Sequence, residues 1–453
     1  MLKPGIFREY DIRGIADVEL LDPDVELLGR ALATYVIRHS GRTICLARDC
    51  RLSGSRLRDA MLKGLVASGA RVLDAGTVPT PVLYYSAVHW KADGAVMITG
   101  SHNPPEYNGI KVVCGTGTLY GEAIQDVYKL ILNNDLESSQ GSSETVDAVT
   151  PYVDEIASQF SFERKVKVVV DAGNGAAGPV AHRVLEKLNV EATEMFFEMD
   201  GQFPNHHPDP TVLSNLHALQ ENVHKRRAEL GIAFDGDGDR IGAVDELGNV
   251  VFGDMLLLIF GREILSRKPG STFIGEVKCS QVLYDTLKEL GGNPIMYKTG
   301  HSLIKDKMKQ EHAELAGEMS GHMFFADRYY GYDDAIYAMC RLLEIVAKSG
   351  KPLSHQLEGI PKLVSTPELR VDCADELKFK VVGKVAEIVR KHHRIVEVDG
   401  ARVLFDEGWG LVRASNTQPV LVMRFEAKNK ELLKKYQQEI DAIVEQARGE
   451  VGA

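Results

Sequence analysis

Three aspartates at alternate positions, Asp235, Asp237 and Asp239, are separated by glycines and followed directly by Arg240. Alternate side chains of an extended backbone point to the same side, so the three carboxylates can converge on one point. Three hard oxygen ligands at neutral pH favour Mg²⁺ or Ca²⁺. The segment therefore predicts a divalent cation site with a guanidinium beside it.

Two other interpretations of this acidic segment remain open. Its aspartates and Glu246 match the ligand spacing of the calcium-binding EF-hand loop. However, Arg240 stands where that loop requires glycine for its sharp turn, and residues 231–234 before it read as a strand rather than a helix. An acidic surface turn without a metal is the second alternative, because Asp-Gly repeats are common in turns.

A second polar segment, residues 99–111, follows a predicted strand at residues 94–98. Ligands of α/β sheets bind at the carboxyl ends of strands, which is where Ser101 would present its hydroxyl. Glycine and proline neighbours shape the loop that carries Ser101 and His102. Taken alone, a serine in such a loop reads as an ordinary turn residue.

The acidic segment changes this interpretation of Ser101. Mg²⁺ is commonly shared between carboxylates and a phosphate oxygen, and a phosphorylated Ser101 would complete such a site. Arg240 and Lys111 would then neutralise the charge of the transferred phosphoryl group. Lys111 and His102 are candidates for proton transfer, although a lysine in a predicted strand also reads as a solvated side chain.

Two shorter polar loops lie farther along the chain. One places a carboxylate, a hydroxyl and an imidazole between glycines, at Glu318, Ser320 and His322. Its carboxylate and hydroxyl can hydrogen-bond adjacent sugar hydroxyls. The other ends a predicted strand with groups that suit a phosphate, namely Arg413, Ser415, Asn416 and Thr417. Each of these loops alone also reads as a polar turn.

Taken together, the four motifs resemble one family. The Ser101 loop, residues 235–240, residues 318–322 and residues 413–417 occur in the order and approximate spacing of the α-D-phosphohexomutases. The sequence resembles the bacterial phosphomannomutase/phosphoglucomutase branch of that family over essentially the whole chain.

The resemblance implies a role for each motif. Mg²⁺ would be bound by the phosphoserine Ser101 and by Asp235, Asp237 and Asp239. The sugar O3 and O4 would be held by Glu318 and Ser320. The phosphate that is not reacting would be held by Arg413, Ser415, Asn416 and Thr417. Further substrate contacts would come from Tyr10, Arg13, Lys278, His301 and His322.

The implied reaction is reversible phosphoryl transfer between C1 and C6 of mannose or glucose phosphates. It would pass through phospho-Ser101 and a hexose 1,6-bisphosphate, in an isomerase of carbohydrate metabolism. A phosphoglucosamine mutase is an alternative with the same chemistry. A Mg²⁺-dependent sugar-phosphate hydrolase and a Ca²⁺-binding module are alternatives of other classes.

Short apolar runs and helical patterns must position these loops. The order strand, helix, strand recurs from about residues 44, 166 and 272, and predicts three similar mixed α/β domains. The remaining strands and a long charged helix predict a smaller C-terminal α+β domain, so the fold class is α/β with four domains. The resemblance implies that these domains surround a central cleft. Residues 133–150 have linker composition. The predicted domains, which carry the serine, metal, sugar and phosphate loops in turn, are residues 1–145, 146–248, 249–360 and 361–453.

Composition limits the partners and the compartment. The chain has 453 residues and a formal net charge of −11, so we expect no nucleic-acid or membrane partner. Neither a signal peptide nor an apolar run of the roughly 20 residues needed to span a bilayer is visible. Six scattered cysteines fit a reducing compartment. We expect a cytoplasmic protein that acts on small hexose phosphates, and the resemblance implies a monomer.

Overall fold

In the part of the chain that the structure describes, four β-sheets follow one another. The structure, a computed structural model, describes residues 2–416 and 418–452. The first unit consists of a 3₁₀ helix (Pro4–Ile6), β1 (Ile12–Ile15), α1 (Ala16–Glu19), α2 (Asp22–His39), β2 (Thr43–Arg48), α3 (Gly54–Ala67), β3 (Arg71–Thr77), α4 (Thr80–His89), β4 (Gly94–Ile98), β5 (Tyr107–Cys114), β6 (Gly117–Thr118), α5 (Glu122–Leu132) and β7 (Ser142–Thr145). Its strand order is β1-β5-β4-β2-β3-β7, with β6 beside β5.

The second unit has a five-stranded mixed sheet. Its elements are α6 (Val149–Ser158), β8 (Val166–Asp171), α7 (Gly178–Lys187), β9 (Val190–Met195), a 3₁₀ helix (Leu213–Leu216), α8 (His217–Arg226), β10 (Leu230–Phe234), β11 (Ile241–Asp245) and β12 (Val250–Val251). The strand order is β12-β11-β10-β8-β9. Every residue of β10 and β11 is buried, and the full burial of β10 explains why this strand reads as an unbroken apolar run rather than an alternating pattern.

The third unit repeats this plan on a smaller scale. Its elements are α9 (Gly253–Arg267), β13 (Thr272–Glu276), α10 (Gln281–Glu289), β14 (Asn293–Tyr297), α11 (His301–Glu311), β15 (Leu315–Gly317), β16 (Met323–Phe325), α12 (Ala335–Ser349) and a 3₁₀ helix (Leu353–Leu357). The strand order is β14-β13-β15-β16, in which only β16 is antiparallel to its neighbour.

The fourth unit is built differently, around an antiparallel sheet. Its elements are β17 (Val364–Ser365), β18 (Leu369–Asp372), α13 (Asp375–Val389), β19 (Arg394–Val396), β20 (Ala401–Phe405), β21 (Gly408–Ala414), β22 (Val420–Ala427) and α14 (Lys430–Val451). The order is β17-β22-β21-β20-β19, with β18 also beside β22. The fold class predicted from the sequence is confirmed.

One hydrophobic core runs through the first three units. It includes Val82 of α4, Val170 of β8, Leu257 of α9 and Leu342 of α12, all of them buried. The fourth unit has a core of its own between its sheet and the helices α13 and α14. A smaller apolar contact around Trp409 joins the fourth unit to the third.

The predicted linker at residues 133–150 is wrong in one respect. Its residues 142–145 form β7, which pairs in parallel with β3 at the edge of the first sheet. All four residues of β7 are exposed, so the strand buries no apolar face and leaves no hydrophobic periodicity in the sequence.

Candidate active site

Three of the predicted site loops occupy equivalent positions in the three α/β units. They follow β4, β10 and β15, each of which runs parallel to a neighbouring strand of its sheet. Each loop then leads into an antiparallel strand, β5, β11 or β16. Because all three loops lie at the carboxyl ends of strands, the repeated fold can present them to one shared cleft.

Ser101 is buried next to the acidic segment. Its residue surface is only 2 % exposed. The hydroxyl donates a hydrogen bond to Oδ2 of Asp235 at 2.9 Å and lies 3.1 Å from Nδ1 of His102. Burial, together with the charges of Arg240 and Arg13, lowers the pKa of His102 well below its ordinary value. A serine from the first unit and a carboxylate from the second are therefore hydrogen-bonded to each other.

The acidic segment reaches this geometry through a turn, so the predicted extended backbone is wrong. Oδ1 of Asp235 accepts hydrogen bonds from the backbone N–H groups of Gly238, Asp239 and Arg240, at 3.0, 3.1 and 3.1 Å. Such side-chain to backbone bonds are how aspartate stabilises a turn. The three carboxylates still converge, because oxygen atoms of Asp235, Asp237 and Asp239 lie within 4.8 Å of one another.

Gly236 lets the two loops touch. A Cβ atom at this position would lie 2.4 Å from the carbonyl oxygen of Ser101, closer than a carbon and an oxygen that are not bonded can approach. Glycine is therefore required where the acidic turn packs against the serine loop.

Lys111 lies among the carboxylates, and its alternative interpretation as a solvated lysine is excluded. The side chain is 5 % exposed, and Nζ lies 2.8 Å from Oδ2 of Asp237 and also contacts Asp239. Burial disfavours the charged ammonium, but the two carboxylates outweigh it and raise the pKa of Lys111 well above its ordinary value.

The acidic cluster fits a divalent cation. The negative charges of these carboxylates repel one another. Burial and this repulsion raise the pKa of Asp235, and raise that of Asp239 to about 6. Within the described residues, Oδ1 of Asp237 and Oδ1 of Asp239 are buried without a hydrogen-bond partner. Hard anionic oxygens with free lone pairs are the ligands that Mg²⁺ prefers.

The EF-hand alternative does not fit this geometry. The acidic turn connects the strands β10 and β11, whereas an EF-hand loop connects two helices. The side chain of Arg240 is also engaged elsewhere, since its Nε donates to Nε2 of His322 at 2.8 Å.

The third loop faces the cation cluster from the third unit. His322 accepts the hydrogen bond from Arg240, and Glu318 accepts one from the N–H of Gly300 at 2.8 Å. Burial lowers the pKa of His322 to about 4, which agrees with its role as an acceptor. Ser320 is half-buried in the same turn. The structure therefore brings this loop beside Asp239 and Arg240.

Asp333 is a site residue that the sequence analysis missed. Its carboxylate lies 3.0 Å from Nζ of Lys305, 3.4 Å from Nδ1 of His322 and 3.6 Å from Nδ1 of His301. Burial opposes its ionisation, but Lys305, His301, His322 and Lys111 together outweigh burial and hold the pKa of Asp333 below its usual range. The only signal in the sequence is an aspartate pair in an aromatic turn, a pattern that is not typical of any particular kind of site.

The fourth unit contacts the first unit near the predicted phosphate loop. Arg413 lies near the end of β21, and its Nε donates to Asp399 at 3.0 Å. In the following turn Asn416 donates to the hydroxyl of Tyr10, and that hydroxyl donates to the carbonyl of Thr299 at 2.9 Å. Tyr10 thus contacts both the third and the fourth units.

The remaining predicted residues of this region lie around the same contacts. Oγ of Ser415 accepts the N–H of Gln418 at 3.2 Å. Nζ of Lys278 lies 3.1 Å from Glu368 and 3.8 Å from Glu276. Arg13 pairs with Asp11 in the first unit. Thr417 lies outside the described residues.

A loop of the second unit that contains two histidines, His206 and His207, contacts the serine loop. His207 donates through Nε2 to the carbonyl of His102. Its neighbour His206 places Nε2 3.0 Å from Oδ2 of Asp171 and Nδ1 3.0 Å from the carbonyl of His207. Both partners of the His206 ring are acceptors, which favours the doubly protonated imidazolium. Burial lowers the pKa of His206, but the hydrogen bond to Asp171, the charge of Asp171 and the carbonyl of His207 together outweigh burial and raise the pKa above 6.5.

We expect this pair to make stability depend on pH. Because the folded pKa of His206 is raised, its contribution is complete below about pH 6.5 and is lost as the pH rises through the folded value. His206→Gln should lower the free energy of unfolding by about 1–2 kcal/mol near pH 6 and by less near pH 8.5. Urea unfolding of both proteins at the two pH values measures this difference. An equal loss at both would contradict the assignment of a charged His206.

The fold and the site define a class of protein in which four domains each bring one loop to a cleft around a buried serine and a carboxylate cluster. Family models match the same four units in order. Phosphoglucomutase/phosphomannomutase alpha/beta/alpha domains I, II and III match residues 4–138, 150–248 and 252–364, and the C-terminal domain of that family matches residues 368–443. The chain belongs to the phosphoglucomutase/phosphomannomutase family, which confirms the resemblance.

Similar proteins cover nearly the whole chain. A phosphomannomutase/phosphoglucomutase of Pseudomonas aeruginosa is 44% identical over 435 residues, which are 96% of this chain and 94% of the relative. A phosphoglucomutase of Neisseria gonorrhoeae is 43% identical over 447 residues, 97% of this chain and 96% of the relative. A crystal structure of a family protein from Burkholderia thailandensis has a TM-score of 0.94 at 42% identity and covers 99% of this chain and 98% of that one.

Proposed function

We propose that the chain is a hexose phosphate mutase that moves a phosphoryl group between O1 and O6 of mannose or glucose phosphates. The observation that carries the proposal is the 2.9 Å hydrogen bond from the hydroxyl of Ser101 to Asp235, inside a cluster suited to Mg²⁺. The names of the relatives from Pseudomonas aeruginosa and Neisseria gonorrhoeae support the choice of substrates.

Ser101 carries the transferable phosphoryl group in this proposal. First, the free hydroxyl oxygen of the sugar phosphate bonds to phosphorus, the bond to Oγ of Ser101 breaks, and the hydroxyl proton passes to a base. The product is a hexose 1,6-bisphosphate. Oγ of Ser101 then attacks its other phosphate, and the leaving sugar oxygen takes a proton back. The candidates for the proton transfers are His102, Lys111, Arg13 and His301.

The charges around Ser101 suit this transfer. Asp235, Asp237 and Asp239, together with an oxygen of phospho-Ser101, would hold Mg²⁺. When bound, the cation withdraws charge from the phosphoryl group. Lys111 and Arg240 add two cationic side chains next to the same carboxylates, and such preorganised charges stabilise a phosphoryl group in transfer.

The bisphosphate must turn over between the two steps, so the remaining loops bind it in two orientations. Glu318 and Ser320 would hold O3 and O4 of the sugar, with His322, Lys278 and Tyr10 around them. Arg413, Ser415, Asn416 and Thr417 would hold whichever phosphate is not reacting. These contacts do not test the configuration at C2, so we expect weak discrimination between glucose and mannose, because discrimination requires a group that one substrate leaves unpaired.

Arg413→Ala should raise KM for both the 1-phosphate and the 6-phosphate, because the same loop would hold the non-reacting phosphate in both orientations of the substrate. A charge-assisted hydrogen bond to phosphate contributes about 1.5–3 kcal/mol, so KM should rise roughly 10- to 100-fold. Initial rates measured in both directions test this expectation. Arg390→Ala, which removes an exposed arginine paired with Glu397 in the same domain, is the matched control. An effect on one isomer alone would contradict reorientation in a single site.

Product analysis separates the mutase from the hydrolase alternative. The mutase converts glucose 1-phosphate to glucose 6-phosphate without releasing inorganic phosphate, whereas a hydrolase releases it in proportion to turnover. Comparing kcat/KM for glucose, mannose and glucosamine 1-phosphates identifies the preferred sugar and tests the phosphoglucosamine mutase alternative.

We expect a monomer in the cytoplasm that binds only small phosphorylated sugars. Of the helices in the described parts of the chain, none combines the length and the apolar character that crossing a bilayer requires.

A further inference from the structure

The backbone of Ser101 adopts an unusual conformation. Its φ angle is +49°, in the left-handed region that costs a residue with a Cβ atom about 1–2 kcal/mol. Such a conformation persists only where the surroundings fix it. Here both backbone groups of Ser101 are held: the N–H donates to Oγ1 of Thr99 at 2.8 Å, and the carbonyl accepts from Nη2 of Arg51 at 2.8 Å.

Arg51 binds the backbone of the whole serine loop. Besides the carbonyl of Ser101, its guanidinium donates to the carbonyls of Asn103, Pro104 and Tyr107, at 2.5, 2.6 and 2.9 Å. The side chain is 0 % exposed. A planar guanidinium can serve four carbonyls at once, whereas the ammonium of lysine has only three donors on a single atom.

Asp49 ties Arg51 to Thr99. Its Oδ2 accepts the hydroxyl of Thr99 at 2.7 Å and lies 3.3 Å from Nε of Arg51, while its Oδ1 accepts the backbone N–H of Arg51 at 3.0 Å. From the second unit, the ring of Phe203 lies over the guanidinium at 5.4 Å. Asp49, Arg51 and Thr99 thus form one buried network around the backbone of Ser101.

We propose that Arg51, supported by Asp49 and Thr99, is a positioning residue for phosphoryl transfer. The network holds Ser101 in its left-handed conformation, and this conformation directs Oγ toward Asp235 and the cation site. Arg51 reaches only backbone carbonyls of the loop, so it acts through Ser101 rather than on the substrate. The inference rests on the proposed function, because it concerns the step in which Ser101 gives and receives phosphate.

The test compares kcat and KM in three variants of the full-length protein. Arg51→Lys keeps the positive charge but loses the planar guanidinium donors that hold the serine loop. The loop should then shift, and displacing a reacting atom by about 1 Å can lower the rate roughly 10²-fold. We expect kcat to fall roughly 10- to 100-fold with KM nearly unchanged. Thr99→Val keeps the shape, removes the bond to the Ser101 N–H and should lower kcat in the same way.

Arg341→Lys is the matched control. Arg341 is also a buried arginine, paired with Asp327 and Glu263 in the third unit, and it has no contact with the serine loop. This variant should lower the melting temperature and leave kcat unchanged below that temperature. A loss of kcat common to all three variants would therefore indicate general destabilisation and overturn the proposal.

The remaining outcomes also decide the question. If Arg51→Lys does not fold, Thr99→Val decides alone: a fall in kcat at constant KM supports positioning, and wild-type kcat overturns it. A rise in KM at unchanged kcat in either variant overturns it as well. Absence of mutase activity in the wild-type protein would instead show that the proposed function is wrong.

Discussion

Ser101→Ala is expected to abolish both the phosphorylated form of the protein and mutase turnover. In the structure the Ser101 hydroxyl donates a hydrogen bond to the acidic cluster, at 2.9 Å from Oδ2 of Asp235. Alanine fills the same buried space but has no oxygen to carry phosphate. Loss of a covalent nucleophile should lower kcat by roughly 10⁴-fold or more. Intact mass and a coupled assay of glucose 6-phosphate formation measure the two effects.

Ser86→Ala is the matched control for this substitution. Ser86 is a buried serine in α4 whose hydroxyl donates to the carbonyl of Val82, within its own helix. It should keep the phosphorylated form and the turnover. Full activity in Ser101→Ala would contradict the role assigned to Ser101.

Asp237→Asn is expected to have the second largest effect. One oxygen of Asp237 accepts hydrogen bonds from Lys111 and Thr80, and the other is buried without a hydrogen-bond partner among the described residues. The substitution removes one anionic ligand and half of the carboxylate pair around Lys111. We expect kcat/KM to fall roughly 10²- to 10³-fold, and the Mg²⁺ concentration for half-maximal activity to rise about tenfold or more.

A titration of activity with Mg²⁺ measures the concentration needed for half-maximal activity in Asp237→Asn. The control is Asp245→Asn, which changes a carboxylate in the same unit. Asp245 is buried at the end of β11 and accepts the N–H groups of Leu247 and Asn249 in the turn to β12. Asp245→Asn should lower stability without changing the requirement for Mg²⁺. If Asp237→Asn keeps the wild-type Mg²⁺ dependence, the acidic cluster is not the cation site.

The chemistry of the site could be predicted from the sequence because its loops are short and local. Asp235, Asp237 and Asp239 stand within five consecutive residues, and Ser101 follows a strand whose five residues are all apolar or glycine. The repeated strand order explains why such loops meet, since each follows an equivalent strand of its own sheet. Local pattern and topology therefore lead to the same site.

The parts that the sequence did not reveal depend on distant contacts. Arg51 and Ser101 are 50 positions apart, and only the paired strands β2 and β4 bring their loops together. Asp333 reaches His301 and His322 from a turn beyond β16. The turn of the acidic segment was also missed, because an extended chain and a turn can both bring alternating carboxylates to one point. In each case the decisive partner lies outside the window that a motif covers.

The most direct test follows the phosphate itself through one turnover. Protein labelled with ³²P should carry the label on the peptide that contains Ser101. Mixing it with a stoichiometric amount of unlabelled glucose 1-phosphate should move the label first to glucose 1,6-bisphosphate and then to glucose 6-phosphate. Label that stays on the protein while product forms, or that appears as inorganic phosphate in step with turnover, would contradict transfer through phospho-Ser101.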